Sequence, residues 1–289
     1  MPDLDLRPLS LGEILDRTFT LYRRNFMLFL GIAALPQLLI LAWQLVQTMM
    51  GEVPAVPGQH PAGRTGLPSA GLMGLGIVGV IVGFIVYLIV YLFAQGGTVY
   101  AVSDLYLGRP TSIGACLGRM RGQLGSLFGV IVLNGLAIMG AFIFLVIPGI
   151  YVACRLITCV PAALLEDLGP RSSLERSFAL TKDNAGRAFV IYLLYVILLY
   201  AAIFLFMFPF SLMAGIMSMK DPSTMRMWLA ISQVGNFVAA VLVGPFLTIA
   251  TAVFYYDLRV RKEAFDLQFM MNPTGNVPTG PAGAPRMLS

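Results

Sequence analysis

Charge is what this chain has least of. Of its 289 residues only 11% are Asp, Glu, Lys or Arg, while 58% are apolar. Ordinary soluble domains carry about 25% charged and about 45–50% apolar residues. So little charge cannot clothe so much apolar mass in water, which argues against a soluble enzyme, a disordered chain or a secreted disulfide scaffold. Histidine is nearly missing: His60 stands alone in a Pro- and Gly-rich stretch, and one imidazole without companions makes neither a metal site nor a catalytic base. The three cysteines, Cys116, Cys154 and Cys159, form no CxxC pair and read as small buried hydrophobes rather than disulfide partners. A nucleophile elbow, an HExxH helix and a P-loop are absent. The apolar runs hold no mid-depth carboxylate; Asp104, Glu166, Asp167 and Asp257 fall at their inner boundaries and read as interfacial anchors. These absences argue against catalysis and against a proton-driven pump, and no cofactor or metal is expected. The net charge of +5 is scattered in short clusters without interleaved stacking aromatics, so nucleic acid is not an expected partner either.

What the chain does have is long apolar runs. A spanning helix needs about 20 mostly apolar residues, and six runs qualify: Phe26 to Met50, Gly71 to about Gly97, Gly125 to Ile147, Ile150 to Leu165, Ala188 to Met217 and Met227 to Tyr256. Pro148-Gly149 separates the third from the fourth, and Pro209 marks a kink or end in the fifth. Continuous runs exclude a β-barrel, whose strands alternate. The first run follows an acidic N-terminal segment and is too long for the apolar core of a signal peptide, about 7–15 residues. Fifteen of the 19 Lys and Arg fall on the side of the N-terminus, three (Arg64, Lys220 and Arg226) on the other, and Arg155 inside a run. That bias places both termini in the cytoplasm. The expected fold is therefore all-α and integral to the membrane: six transmembrane helices with about three cytoplasmic interfacial amphipathic helices. Residues 1–268 form a single membrane domain, and 269–289 form a disordered cytoplasmic tail, rich in Pro and Gly. The outer loop over 51–70 reads as irregular.

Three cytoplasmic segments resemble one another, each opening on a proline followed by a hydroxyl residue: Pro8-Leu9-Ser10, Pro110-Thr111 and Pro170-Arg171-Ser172. Ser10 and Glu13 have capping-box spacing, as do Ser172 and Glu175, and Leu9 and Ile14 have that of a hydrophobic staple. Arg17-Thr18-Phe19-Thr20-Leu21 runs parallel to Arg176-Ser177-Phe178-Ala179-Leu180. The pattern suggests a threefold repeat over about 8–100, 109–168 and 170–260, each unit an interfacial helix followed by a helical hairpin. Basic residues on such helices, Arg17, Arg23, Arg24, Arg119, Arg121, Arg176 and Lys182, are the expected contacts for anionic phospholipids. Each gains about 1 kcal/mol beside an anionic leaflet. A protein partner or a second copy of the chain is the other expected partner: Gly79 and Gly83 have GxxxG spacing among Gly71, Gly74 and Gly76, which suits close helix approach within or between chains.

Arg155 is the sharpest residue. An arginine at mid-bilayer costs about 2.5–3.5 kcal/mol on insertion scales, and no acid lies at its depth to pair with it. The amides Gln44, Gln47, Gln233 and Asn236 do, which predicts a polar cluster around Arg155 in the outer half of the membrane. The two functions open at this point are a lipid- or partner-binding membrane module and a transporter or channel for a small or anionic solute with Arg155 in its path.

Three stretches carry a resemblance. They are Arg7-Pro8-Leu9-Ser10-Leu11-Gly12-Glu13-Ile14-Leu15-Asp16-Arg17, then Ile147-Pro148-Gly149-Ile150-Tyr151 with Arg155 and Pro161, and Tyr255-Tyr256-Asp257-Leu258-Arg259-Val260-Arg261-Lys262-Glu263. Together they resemble the membrane domain that some bacteria fuse to a glycerophosphoryl diester phosphodiesterase, over about residues 7–268. The resemblance implies a helical module of unassigned activity in a bacterial inner membrane. The hydrolase domain with its His and acidic metal ligands is absent from this sequence, so hydrolysis of glycerophosphodiesters is not expected.

Overall fold

In the computed structural model, which describes residues 8–50, 70–218 and 222–263, every regular element is helical. The helices are α1 (Leu11–Arg24), α2 (Phe26–Met50), α3 (Ala70–Tyr106), α4 (Ile113–Arg119), α5 (Leu124–Phe144), α6 (Val146–Arg155), α7 (Cys159–Leu165), α8 (Pro170–Leu180), α9 (Ala185–Phe206), α10 (Phe208–Ser218) and α11 (Pro222–Glu263). A 3₁₀ turn over Met120–Gly122 follows α4. Six stretches are long and apolar enough to cross a membrane: Phe26–Thr48, Val78–Tyr106, Leu124–Phe144, Val146–Leu165, Ala185–Phe206 and Arg226–Glu263. The chain is an all-α multi-pass membrane protein. Large apolar side chains stand in the open, among them Ile143 at 78%, Phe144 at 84% and Ile147 at 79% exposure, which suits hydrocarbon and not water. The expected tail over 269–289, the outer loop over 51–69, His60 and Arg64 lie outside the described residues.

Each short polar helix is started by local chemistry. Ser10 caps α1 by accepting from the Glu13 N–H, and Glu13 returns the bond to the Ser10 N–H at 2.6 Å, completing the expected capping box. Ser112, not Thr111, caps α4. The box expected at Ser172 and Glu175 does not form. Pro170 occupies the first turn of α8 with Gly169 as cap, so the helix begins three residues earlier and Glu175 pairs with Arg171 instead. Proline's fixed φ and missing N–H suit that first position. The α3 terminus is closed by a Schellman turn: Gly108 has φ 72°, its N–H donates to Leu105, and the Arg109 N–H donates to Asp104.

The breaks between long helices differ from the expected ones. The α5–α6 hairpin turns at Leu145, whose backbone is extended, three residues before Pro148. Pro148 then sits in the first turn of α6, where a missing N–H leaves no bond unmade. The fourth apolar run is not one rod. It breaks over residues 156–158 between α6 and α7. There the freed Arg155 carbonyl accepts the hydroxyls of Ser177 at 2.9 Å and Thr181 at 2.8 Å from α8, and the Thr158 and Ser177 hydroxyls meet at 2.9 Å. The fifth run breaks at Met207, with Pro209 in the first turn of α10, as its proline predicts.

The chain divides into two units. The first takes Met1–Ile32, Leu92–Leu198 and Leu242–Ser289, the second Ala33–Tyr91 and Leu199–Val241. In the first unit the axial element is the end of α11, where every described residue from Thr248 to Val260 is buried. Against it lie α3, where the Ser103 and Tyr256 hydroxyls meet at 2.7 Å and the Tyr106 ring stacks on that of Tyr256, and α1, where the Phe19 ring meets Phe246 edge-on. In the second unit α11 and the α9–α10 junction touch backbone to backbone: a β-carbon on Gly235 would stand 1.9 Å from the Phe206 carbonyl oxygen. Gly79 and Gly83, the expected packing glycines, face nothing within 4 Å.

Candidate functional site

Two features are built from polar groups where apolar ones would be cheaper. The first, in the first unit, is an ion-pair network at the end of α11. Spacing of four residues puts Tyr255, Arg259 and Glu263 on one face of that helix and Asp257 with Arg261 on another. Glu166, just past α7, lies at the centre. Its carboxylate accepts from Arg176 Nε at 2.8 Å and from the Tyr255 hydroxyl at 2.7 Å, with Arg259 Nε 3.9 Å away. Arg176 Nη1 also reaches Glu263 at 2.5 Å, and Arg259 Nε reaches Glu263 at 3.1 Å. Burial works against the Arg176 charge, but the Glu263 and Glu166 partners outweigh it and hold its pKa above the ordinary guanidinium value. On the second face, Asp257 accepts the Leu9 N–H at 2.7 Å and pairs with Arg187 at 2.8 Å and Arg261 at 3.1 Å. Both arginines also donate to the Leu9 carbonyl. The peptide just before α1 is thus clamped to a helix that follows it by 248 residues.

This network holds the chain together, with Arg259 and Asp257 fully enclosed. The sequence reading missed it. Glu166 and Asp257 are not the simple anchors expected, and Arg176 is turned inward onto two carboxylates rather than outward to lipid. The opposite-charge spacing of Asp257 with Arg261 and of Arg259 with Glu263 is the signal that points to it.

The other expected lipid contacts differ among themselves. Arg17 donates to the Tyr106 hydroxyl at 3.0 Å and lies over its ring, and Arg119 pairs with Asp104 at 3.0 Å while remaining half exposed. Arg23, Arg24 and Lys182 are exposed. The side chain of Arg121 lies outside the described residues.

Arg155 takes its partners from the first unit. Its Nη2 donates to the Phe178 carbonyl at 2.6 Å, its Nη1 reaches the Tyr151 hydroxyl at 3.4 Å, and its guanidinium lies 5.3 Å from the Phe178 ring centre. Beside it, Lys262 Nζ donates to the carbonyls of Ala179 and Lys182 at 3.0 and 2.8 Å. Two cations thus close the C-terminal end of α8, where unpaired carbonyls and the helix dipole favour positive charge. Gln44, Gln47, Gln233 and Asn236 all belong to the second unit, and none is among these partners. The sequence reading grouped them with Arg155 by depth; the structure brings Arg155 to Phe178 and Tyr151.

The second polar feature lies in the second unit. A cavity of about 700 Å³ opens between α2 and α3, walled by apolar side chains such as Leu39, Trp43, Val46, Val80 and Phe84. Its polar groups include Gln44 and Gln47, one helical turn apart on α2, and Tyr87 on α3. The Gln44 Oε1 atom is buried without a hydrogen-bond partner. A mostly apolar concavity with a few polar groups, of about 300–1,000 Å³, is the form of a small-ligand site.

Outside the spans, burial pushes up the Cys116 thiol and the Tyr22 hydroxyl, which donates to the Leu242 carbonyl at 2.8 Å. All three cysteines are free and buried, as expected for inert thiols. Among the described residues no group of His, Cys, Asp or Glu is placed to hold a metal ion. Comparison with known proteins gives no matching family model, no matching curated protein and no matching solved structure.

Proposed function

We propose that the chain is a non-enzymatic membrane module that binds lipid, with the cavity between α2 and α3 as the site for one lipid chain. The observation that carries this reading is an apolar cavity of about 700 Å³ between two helices, with few polar groups in its lining. The cavity lies within two membrane-spanning stretches, so hydrocarbon is the medium it meets. The exposed Arg23, Arg24 and Lys182 support a second, weaker layer of contact to anionic head groups at the cytoplasmic surface of a bacterial inner membrane. Arg155, closing the end of α8, supports a bracing role.

The test uses a variant that fills the cavity without disturbing its walls. A β-carbon at Gly83 meets nothing within 4 Å, and Gly83 lines the cavity. Native mass spectrometry of the full chain in nanodiscs should show one retained lipid on the wild type and its loss in Gly83→Phe. Equal retention by both would remove the cavity from the account.

A further inference from the structure

In the first unit, Arg119, Arg176, Arg187, Arg259 and Arg261 each meet a carboxylate. Three cations at the C-terminal end of α8 differ. Among the described residues, none of Arg155, Lys182 and Lys262 has a carboxylate within ion-pair distance. Arg155 and Lys262 donate to neutral groups, the carbonyls of Phe178, Ala179 and Lys182 and the Tyr151 hydroxyl. Those bonds orient the two cations and leave their charge unmatched. Asp183, in the turn after α8, attracts Lys262, while Arg155 and Lys182 repel it. Asp183 offsets one of the three charges, and the α8 dipole about half of another. The remainder exceeds the single charge of a phosphodiester. Such an excess beside hydrocarbon is costly unless an anion joins it.

The surface that leads away from Arg155 shows what else the anion carries. Ile147, Tyr151 and Arg155 follow one another at four-residue spacing along one face of α6. Ile147 and Tyr151 stand in the open, and the Arg155–Tyr151 bond is itself exposed. The Tyr151 hydroxyl accepts that bond and keeps its own hydrogen to donate. The face thus passes from a cation through an aromatic hydroxyl to bare aliphatic surface, over about 12 Å at 1.5 Å per residue. A lipid presents its parts in that order, and a free anion matches only the first of them.

We propose that Arg155, Lys182 and Lys262 hold the phosphate of one anionic phospholipid, with Tyr151 donating to the same phosphate and an acyl chain lying along Ile147. A choline head group would bring back the positive charge that its phosphate removes, so the site discriminates against zwitterionic lipid. The inference shares with the reading above the premise that the chain binds lipid. Its site lies in the first unit, apart from the cavity, which belongs to the second.

The full chain is placed in phosphatidylcholine nanodiscs doped with a low mole fraction of phosphatidylglycerol of the same chains. Retained lipid is read by native mass spectrometry, so a lipid held by its chain alone is counted as phosphatidylcholine. The wild type should retain one phosphatidylglycerol in preference to phosphatidylcholine. Lys182 meets Lys262 through its backbone carbonyl, so Lys182→Ala removes a charge and leaves that bond in place. The preference should then fall about fivefold, the scale of one basic residue beside anionic lipid. Arg155→Gln, with its melting temperature followed in parallel, should lose the preference, and Gly83→Phe should keep it. Millimolar inorganic phosphate should leave the lipid bound; its displacement would overturn the lipid assignment and make this a site for a free anion. Equal retention of the two lipids by the wild type, or a preference that Lys182→Ala and Arg155→Gln leave unchanged, would overturn the proposal without touching the cavity. Loss of the preference in Gly83→Phe alone would overturn it by placing the anionic lipid in the cavity.

Discussion

Glu166→Ala should unfold the first unit or bring it close to unfolding. The substitution deletes the carboxylate that Arg176 grips at 2.8 Å and that Tyr255 bonds at 2.7 Å, and leaves Arg259 with one carboxylate fewer in a fully enclosed position. Stranding a buried partner of an ion pair costs about 3–5 kcal/mol, against a total stability of about 5–15 kcal/mol for a folded domain. The expected result is a large fall in melting temperature and loss of the monodisperse peak in detergent. Glu166→Gln, which keeps hydrogen-bonding oxygen and amide groups but not the charge, should fall between that variant and the wild type. The contrast is Arg171→Ala. Its pair with Glu175 is solvent-exposed, and such i,i+4 pairs contribute about 0.3–0.5 kcal/mol, so its melting temperature should hardly move. Equal behaviour of Glu166→Ala and Arg171→Ala would mean that the network is ornamental.

Gly235→Leu should disrupt the second unit by a different route. No side chain fits where a β-carbon would sit 1.9 Å from the Phe206 carbonyl oxygen and 2.8 Å from its carbon, because backbone cannot rotate away as a flexible side chain can. Overpacking a filled site costs about 1–3 kcal/mol, and here α11 must shift away from the α9–α10 junction before any larger residue is admitted. Even Gly235→Ala should lower thermal stability, whereas Gly79→Ala and Gly83→Ala, which meet nothing, should be neutral. A neutral Gly235→Ala would show that the junction yields freely.

The membrane helices were legible in the sequence because hydrocarbon imposes one rule on every span, an unbroken apolar stretch of about 20 residues. Phe26 to Met50 reads directly as α2. What the pattern could not convey is where tertiary contacts bend it. The break at residues 156–158 is stabilised by hydroxyls of α8 that lie about twenty residues further along the chain, and no local signal announces them. The turn at Leu145 rather than Pro148 follows from helix-start chemistry, which accepts a proline where a helix end does not. Residue types were easier to place than partners. Gln44 and Gln47 stand out as amides in an apolar run, but the sequence associated them with Arg155 by depth, and the cavity opposite α3 appears only with the helices in place. Gly235, in small-xxx-small spacing with Ala239, is among the described residues the glycine that backbone presses on, whereas the GxxxG pair Gly79 and Gly83 is open.

The account's central claim is that the space between α2 and α3 holds a lipid, and Trp43 on its wall reports on that directly. The chain has two tryptophans, so Trp228→Phe leaves Trp43 as the single fluorophore. A lysolipid brominated on its chain is titrated at low mole fraction into nanodiscs of unbrominated lipid. The account predicts quenching that saturates at one probe per protein and reverts to the weak, non-saturating collisional level in Gly83→Phe. Quenching that rises without saturation and is identical in the two proteins would contradict it.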